Sequence, residues 1–162
     1  MVKIKIDKSP NTYDFLKSKL KPRDSLFQAE ARRCKEIMEI ISKSKSSEKH
    51  FCIFDEIYSG TNPYEAMASA YSYLDYLSKY DNVSFLITTH YIDLCKKIDN
   101  SDINIKNMHM QITDENEVFE YDYILNQGIS EVKGGVKVLK DLGYPSDMIN
   151  NTDDYLSKNL GC

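Results

Sequence analysis

Phe51-Cys52-Ile53-Phe54-Asp55-Glu56-Ile57-Tyr58-Ser59-Gly60-Thr61-Asn62-Pro63 combines a strand, a loop and a helix start in one short stretch. Four apolar residues follow one another without alternation, as in strands of a parallel sheet buried on both faces. The run stops abruptly at two carboxylates. Tyr58 to Asn62 reads as a loop, and Pro63 suits the first turn of a following helix because its missing N–H has no intrahelical partner there. That helix extends to about Tyr80 and carries Ala66, Ala68, Ala70 and Leu74. After the turn Asp81-Asn82 comes a second apolar run, Val83-Ser84-Phe85-Leu86-Ile87. It ends in Thr88-Thr89-His90, and a short helix is expected from Tyr91 to Ile98. Strand, helix, strand, helix predicts a parallel sheet with crossover helices.

On the N-terminal side, Leu26, Ala29, Ile37, Ile40 and Ile41 recur at helical spacing, which predicts a helix of about 18 residues from Ser25. Glu30 and Glu36 would put negative charge toward its start. The loop Ser42–Lys49 contains no apolar residue. Residues 1–24 are polar and mixed, and read as a loop or a frayed leading segment. On the C-terminal side, Ile105–Ile112 and Glu117–Leu125 alternate partially around the turn-rich Thr113-Asp114-Glu115-Asn116, so a hairpin is expected. Gly134-Gly135 should break the chain. Val136–Leu142 and Pro145–Leu156 then read as two short helices around Gly143.

The bulk properties suit one soluble domain with a real core. Of 162 residues, 41% are hydrophobic and 28% charged, and the formal net charge is −4. That balance argues against these residues clamping DNA unaided, since phosphate binding is driven by Lys and Arg. Cys34, Cys52, Cys95 and Cys162 are scattered, as befits reduced thiols of an intracellular protein; His50 and Cys52 have too few neighbouring ligands for a zinc site. The first residues lack the apolar core of a secretion signal, and nowhere is there an apolar run long enough to span a membrane. The expectation is a soluble protein, not secreted, with nucleus or cytoplasm left open.

Ligands gather at the C-terminal ends of strands in open α/β sheets. Two such ends here suit one reaction. An acid at Asp55 can hold Mg²⁺, largely through its waters. Glu56 can orient or deprotonate a water for attack on a γ-phosphate, and His90 can touch that phosphate or the water. Taken singly, each has a plain structural reading: Asp55-Glu56 as a strand leaving the core, His90 as a satisfied polar residue. One crossover helix between them would place them at neighbouring strand ends, which favours the functional reading. Ser25, judged by position alone, is a helix cap, although a helix N-terminus also favours an anion.

These residues bear a family resemblance. Phe51–Pro63 resembles the Walker B and D-loop stretch of the MutS DNA mismatch-repair ATPases, with Gly60-Thr61 kept and Tyr58 where a glycine is usual. Thr88-Thr89-His90-Tyr91-Ile92-Asp93-Leu94 resembles the family's T-H-Y-x-x-L switch, and Asn107-Met108-His109-Met110 its N-x-H-M strand. Phe119–Gly128 is similar to the second hairpin strand and its exit. Gly135–Leu142, Gly143-Tyr144-Pro145 and Met148-Ile149 are similar to its C-terminal G-x-x-V-A segment. Upstream, Ser25-Leu26-Phe27-Gln28-Ala29-Glu30 resembles the S-x-F-x-x-E signature.

The resemblance implies an ABC-ATPase-like P-loop NTPase fold. It would be truncated on its N-terminal side and carry a β-hairpin and a small helical tail. It divides the chain into a polar segment 1–24, a partial ATPase domain 25–130 and a helical tail 131–162. It implies ATP and Mg²⁺ as cofactors, Asp55 on the metal, Glu56 as general base and His90 as switch histidine. Gly60, Thr61 and Asn62 would touch a partner subunit, and Ser25 would act on the nucleotide held across a homo- or heterodimer. Mismatched double-stranded DNA would be met only indirectly, through domains expected upstream. No G-x-x-x-x-G-K-[ST] phosphate-binding loop occurs. In the family it precedes the signature helix and would here lie before residue 1. The chain therefore reads as a piece of an ATPase, a fragment or one half of a split protein, hydrolysing ATP only when that loop is supplied. The other reading is a non-hydrolysing dimerisation module. The 12 tyrosines, several of them (Tyr64, Tyr71, Tyr73, Tyr76) on one expected helix, fit either a sticky surface or ordinary packing.

Overall fold

The computed structural model describes residues 12–14, 25–115, 118–130 and 134–159. They form a mixed α/β structure whose elements run β1 (Thr12–Asp14), α1 (Leu26–Lys43), β2 (His50–Asp55), α2 (Pro63–Ser78), β3 (Val83–Thr88), α3 (Ile92–Asp99), β4 (Met108–Glu115), β5 (Val118–Gln127), α4 (Gly134–Asp141) and α5 (Ser146–Asn159). The chain divides into two compact units. One runs to His109 and includes Gln127–Ile129; the other is Met110–Asn126 with the segment from Ser130 onward.

In the first unit, β1, β2 and β3 form a parallel sheet in that order. Thr12 pairs with Phe51, and His50 to Asp55 run in register with Val83 to Thr88. The segment 1–24, expected to be loop or frayed, thus contributes a strand at Thr12–Asp14; its other residues lie outside the described ones. Each strand neighbours the next in sequence, and parallel crossovers share one hand. The crossover helices consequently fall on the same face. Cys34, Ile37 and Ile41 of α1, Cys52 and Phe54 of β2, Leu74 and Leu77 of α2, and Leu94 and Ile98 of α3 make one buried cluster.

That one-sided cover corrects the expectation of strands buried on both faces. Burial alternates along β2 and β3: His50, Cys52 and Phe54 are buried, whereas Ile53 is 38% and Leu86 49% exposed. The hydrophobic run predicted the strands correctly but not how many of their faces would be covered.

The helices start where local chemistry puts them. Ser25 caps α1 in a capping box: its hydroxyl accepts from Gln28 N at 3.2 Å, and its own N–H donates to Gln28 Oε1 at 2.9 Å. No acid occupies the first turn of α1, contrary to expectation; Glu30 lies in the second turn and Glu36 pairs with Arg33 further on. Asn62 caps α2 by accepting from Glu65 N at 3.0 Å, with Pro63 in the first turn. Of the α2 tyrosines, Tyr73 is buried and Tyr71 and Tyr76 are half-buried against the core, so packing accounts for them; only Tyr64, 82% exposed, stands free of it.

β4 and β5, most of whose residues belong to the second unit, form a two-stranded sheet, which a two-residue link can only join as an antiparallel hairpin. Thr113-Asp114-Glu115, expected as a turn, instead extends β4, and β4 begins at Met108 rather than Ile105. Gly134-Gly135 opens α4 instead of breaking the chain. After α4, Gly143 takes φ +75 and Pro145 O accepts from Met148 N and Ile149 N to start α5. Among the described residues, no helix is long and apolar enough to cross a membrane.

Candidate functional site

The C-terminal ends of β2 and β3 bring the first group of candidates together. Asp55 and Thr88 are register partners, and the Thr88 hydroxyl donates to Asp55 Oδ1. Glu56 N donates to Thr88 O at 3.1 Å, which fastens the residue after β2 to the end of β3. His90 Nδ1 lies 3.5 Å from Glu56 Oε1. Both of those side chains are more than half exposed, so their attraction adds little stability and matters as placement. The His90 ring lies 4.3 Å from that of Tyr91, whose N–H donates to Thr89 Oγ1 at 3.1 Å.

The backbone leaves β2 through two unusual residues. Glu56 has φ 46 and Tyr58 φ 62, both in the left-handed region that costs a non-glycine residue about 1–2 kcal/mol. Tyr58 is the position where the resemblance leads one to expect glycine. Its ring is buried, 5.8 Å from Phe27 and 6.1 Å from Tyr73, edge-on to the latter. Ile57 beside it is buried too. The turn is held from inside the core while Asp55 and Glu56 face solvent.

The second group sits where this loop meets α1. A Cβ on Gly60 would lie 2.5 Å from Phe27 N and 2.8 Å from Leu26 Cβ, so only glycine allows the loop to approach the helix so closely. Thr61 Oγ1 donates to Glu65 Oε2 at 2.9 Å, and Asn62 is occupied as the cap of α2. Ser25 is occupied as the cap of α1, but accepting from Gln28 N uses only a lone pair; its O–H remains able to donate. The structure therefore sets Ser25 at the helix end that abuts Gly60, and groups Asp55, Glu56 and His90 at the strand ends.

Three further residues, Glu30, Thr88 and Asn107, take structural roles that motif and charge pattern alone did not show, the first two at this site. Glu30, assigned to the helix dipole, is buried and accepts from Ser59 Oγ and Gly60 N. Its signal was a carboxylate on the apolar stripe of α1, four residues before Cys34 and seven before Ile37. Thr88 was quoted only as part of a motif, although register pairs it with Asp55. Asn107 donates to Cys95 O at 2.9 Å and Asp99 Oδ1 at 2.7 Å, and its O accepts from Gly128 N; Gly128 has φ +114. This explains an asparagine and a glycine far apart in sequence by one junction.

Among the described residues, no group of three or more His, Cys, Asp or Glu side chains gathers to hold a metal. Asp55 alone, with one oxygen on Thr88 and the other open, fits a hydrated Mg²⁺ that takes its remaining ligands from water and phosphate. No described element offers a glycine-rich cradle for α- and β-phosphates, so the donors present fit only the terminal phosphate and metal end of a nucleotide.

A family model described as MutS domain V matches residues 9–159. The chain is similar to the DNA mismatch repair protein MutS of Leuconostoc mesenteroides, 30% identical over 118 residues, covering 72% of this chain and 14% of the relative. With the MutS of Lactococcus lactis subsp. cremoris it shares 27% over 150 residues, 90% of this chain and 17% of the relative. With that of Aquifex pyrophilus it shares 25% over 115 residues, 71% of this chain and 13% of the relative. The chain thus spans a small fraction of the length of the relatives it matches.

Proposed function

The chain belongs to the MutS domain V family, and on that footing we propose that it supplies the water-activating and partner-facing part of an ATP-hydrolysing site in DNA mismatch repair. The observation that carries this reading is the Glu56–His90 pair beside Asp55, at the ends of adjacent parallel strands. ATP bound with Mg²⁺ would supply the γ-phosphate for hydrolysis. Glu56 is the group able to accept a proton from water at that place, with His90 3.5 Å away to orient it or to share its charge. Asp55 would hold the metal's hydration shell through its free oxygen. The left-handed backbone at Glu56 supports the assignment, because strained conformations persist where the surrounding structure enforces them and cluster at working sites.

The phosphate grip belongs, in this reading, to a phosphate-binding loop from another segment or chain, completing an ABC-type ATPase fold. Ser25 and Gly60–Asn62 face a MutS-type dimer partner, and mismatched DNA is contacted by other parts. The test is Glu56→Gln in the chain assembled with a MutS-type partner that carries the loop. Turnover is expected to fall by about 10²-fold or more, the usual share of a general base, with nucleotide still held. Unchanged turnover overturns the assignment of Glu56.

A further inference from the structure

Glu30 is a buried carboxylate, with 5% of its surface exposed. Both of its oxygens face the same loop. Oε1 accepts from the Ser59 hydroxyl at 3.1 Å and Oε2 from Gly60 N at 3.4 Å. On the other side of that loop's contact, Gly60 meets Phe27 N and Leu26 with no room for a methyl group. A hydrogen-bonded carboxylate and a close backbone approach thus join the loop to α1, and α1 begins at Ser25.

We infer that Glu30 is a positioning residue: it latches the Ser59–Asn62 loop to the first turns of α1, so that Ser25 and Gly60–Asn62 are presented as one rigid surface. The functional half of this inference rests on the ATPase reading above. The physical reason is that a buried carboxylate needs its hydrogen bonds. Lifting the loop would strip Glu30 of two donors, which water would have to replace. The loop and the helix end are therefore coupled through these bonds. A displacement of Ser25 by a nucleotide would be passed to the loop, and through the buried Ile57 and Tyr58 to Glu56.

The test uses the full chain with Glu30→Gln and Glu30→Leu. Hydrogen exchange at the Gly60 amide reads the latch, and the buried α2 amides from Ala70 to Leu77 serve as the fold control. Glu30→Leu is expected to speed Gly60 exchange about tenfold, the worth of roughly one hydrogen bond, with α2 unchanged. Glu30→Gln keeps one acceptor and should fall between. Unchanged Gly60 exchange overturns the latch. If Glu30→Leu also exposes α2, then Glu30→Gln decides: faster Gly60 exchange over an intact α2 supports the latch, and wild-type exchange overturns it. In the assembly with a loop-bearing partner, kcat should fall in Glu30→Leu and recover in part in Glu30→Gln, with KM for ATP unchanged. Faster exchange with wild-type kcat overturns the positioning role. An assembly of the unmutated chain that turns over no ATP refutes the ATPase reading and the coupling built on it, while the exchange data judge the latch by itself.

Discussion

Tyr58 shows how residue identity and backbone conformation can disagree and still settle. Its φ of 62 favours glycine, yet its ring fills the space between Phe27 and Tyr73. Glycine there would relieve about 1–2 kcal/mol of backbone strain. Removing a large buried ring costs about 3–5 kcal/mol by comparison with aromatic-to-alanine changes. Burial wins, so Tyr58→Gly should destabilise the chain by about 1–4 kcal/mol net, measured by urea unfolding. A stabilised variant would show that the strain outweighs the packing. At this scale the sequence grouped Asp55, Glu56 and His90 because they fall at neighbouring strand ends, and only the family resemblance added Gly60. For Glu30 the only sign was a carboxylate on the apolar stripe of α1; which loop it braces is decided by a tertiary contact.

The packing of α1 on β2 is the element that stabilises the site from below. Cys34 and Cys52 are buried within it as free thiols, and burial pushes each pKa up to about 11 from 9.0. A thiol whose folded pKa is raised keeps its proton in the native state while the unfolded chain loses it. The stabilisation is complete below about pH 9 and is lost as pH rises from about 9 to about 11. Each thiol should contribute up to about 2–3 kcal/mol of that fall. Burial pushes Tyr58 and Tyr73 up as well, adding a loss in the same direction at higher pH. The expected result is a urea midpoint that drops between pH 9 and 11 and drops less in a Cys34→Ala/Cys52→Ala variant. An equal drop in both proteins would refute the role of the thiols. Helices and strands were legible because periodicity and caps are local. Among the boundaries that failed were Thr113–Glu115 and Gly134-Gly135, where turn-forming residues were absorbed into a strand and a helix.

At the scale of the whole molecule the two units differ in how much they bury. Most of the buried apolar residues belong to the first unit; in the second, Val136 and Ile149 are the buried ones among the described residues, while Leu142 is 69% and Tyr155 65% exposed. Local opening is easiest where little apolar surface is buried. Amides of α4 and α5 should therefore exchange faster than those of α2, which buries Ala66, Ala70, Tyr73, Leu74 and Leu77. Equal protection in all three helices would mean that α4 and α5 gain stability from something other than their own core. The open face of the sheet, with Ile53 and Leu86 exposed, follows from the strand order, since crossovers of one hand taken in one direction place every helix on the same side.

The sequence by itself determined the order of strands and helices from α1 onward, the loop between Asp55 and Pro63, the cap at Ser25, and the family, because each is written in neighbouring residues. Only the tertiary structure decided that Thr12–Asp14 adds a strand, that β2 and β3 are covered on one face, that Thr88 holds Asp55, and that Glu30 holds the loop. Those facts depend on which residues distant in the chain meet. Pairing register and helix placement create such meetings, and no local pattern records them.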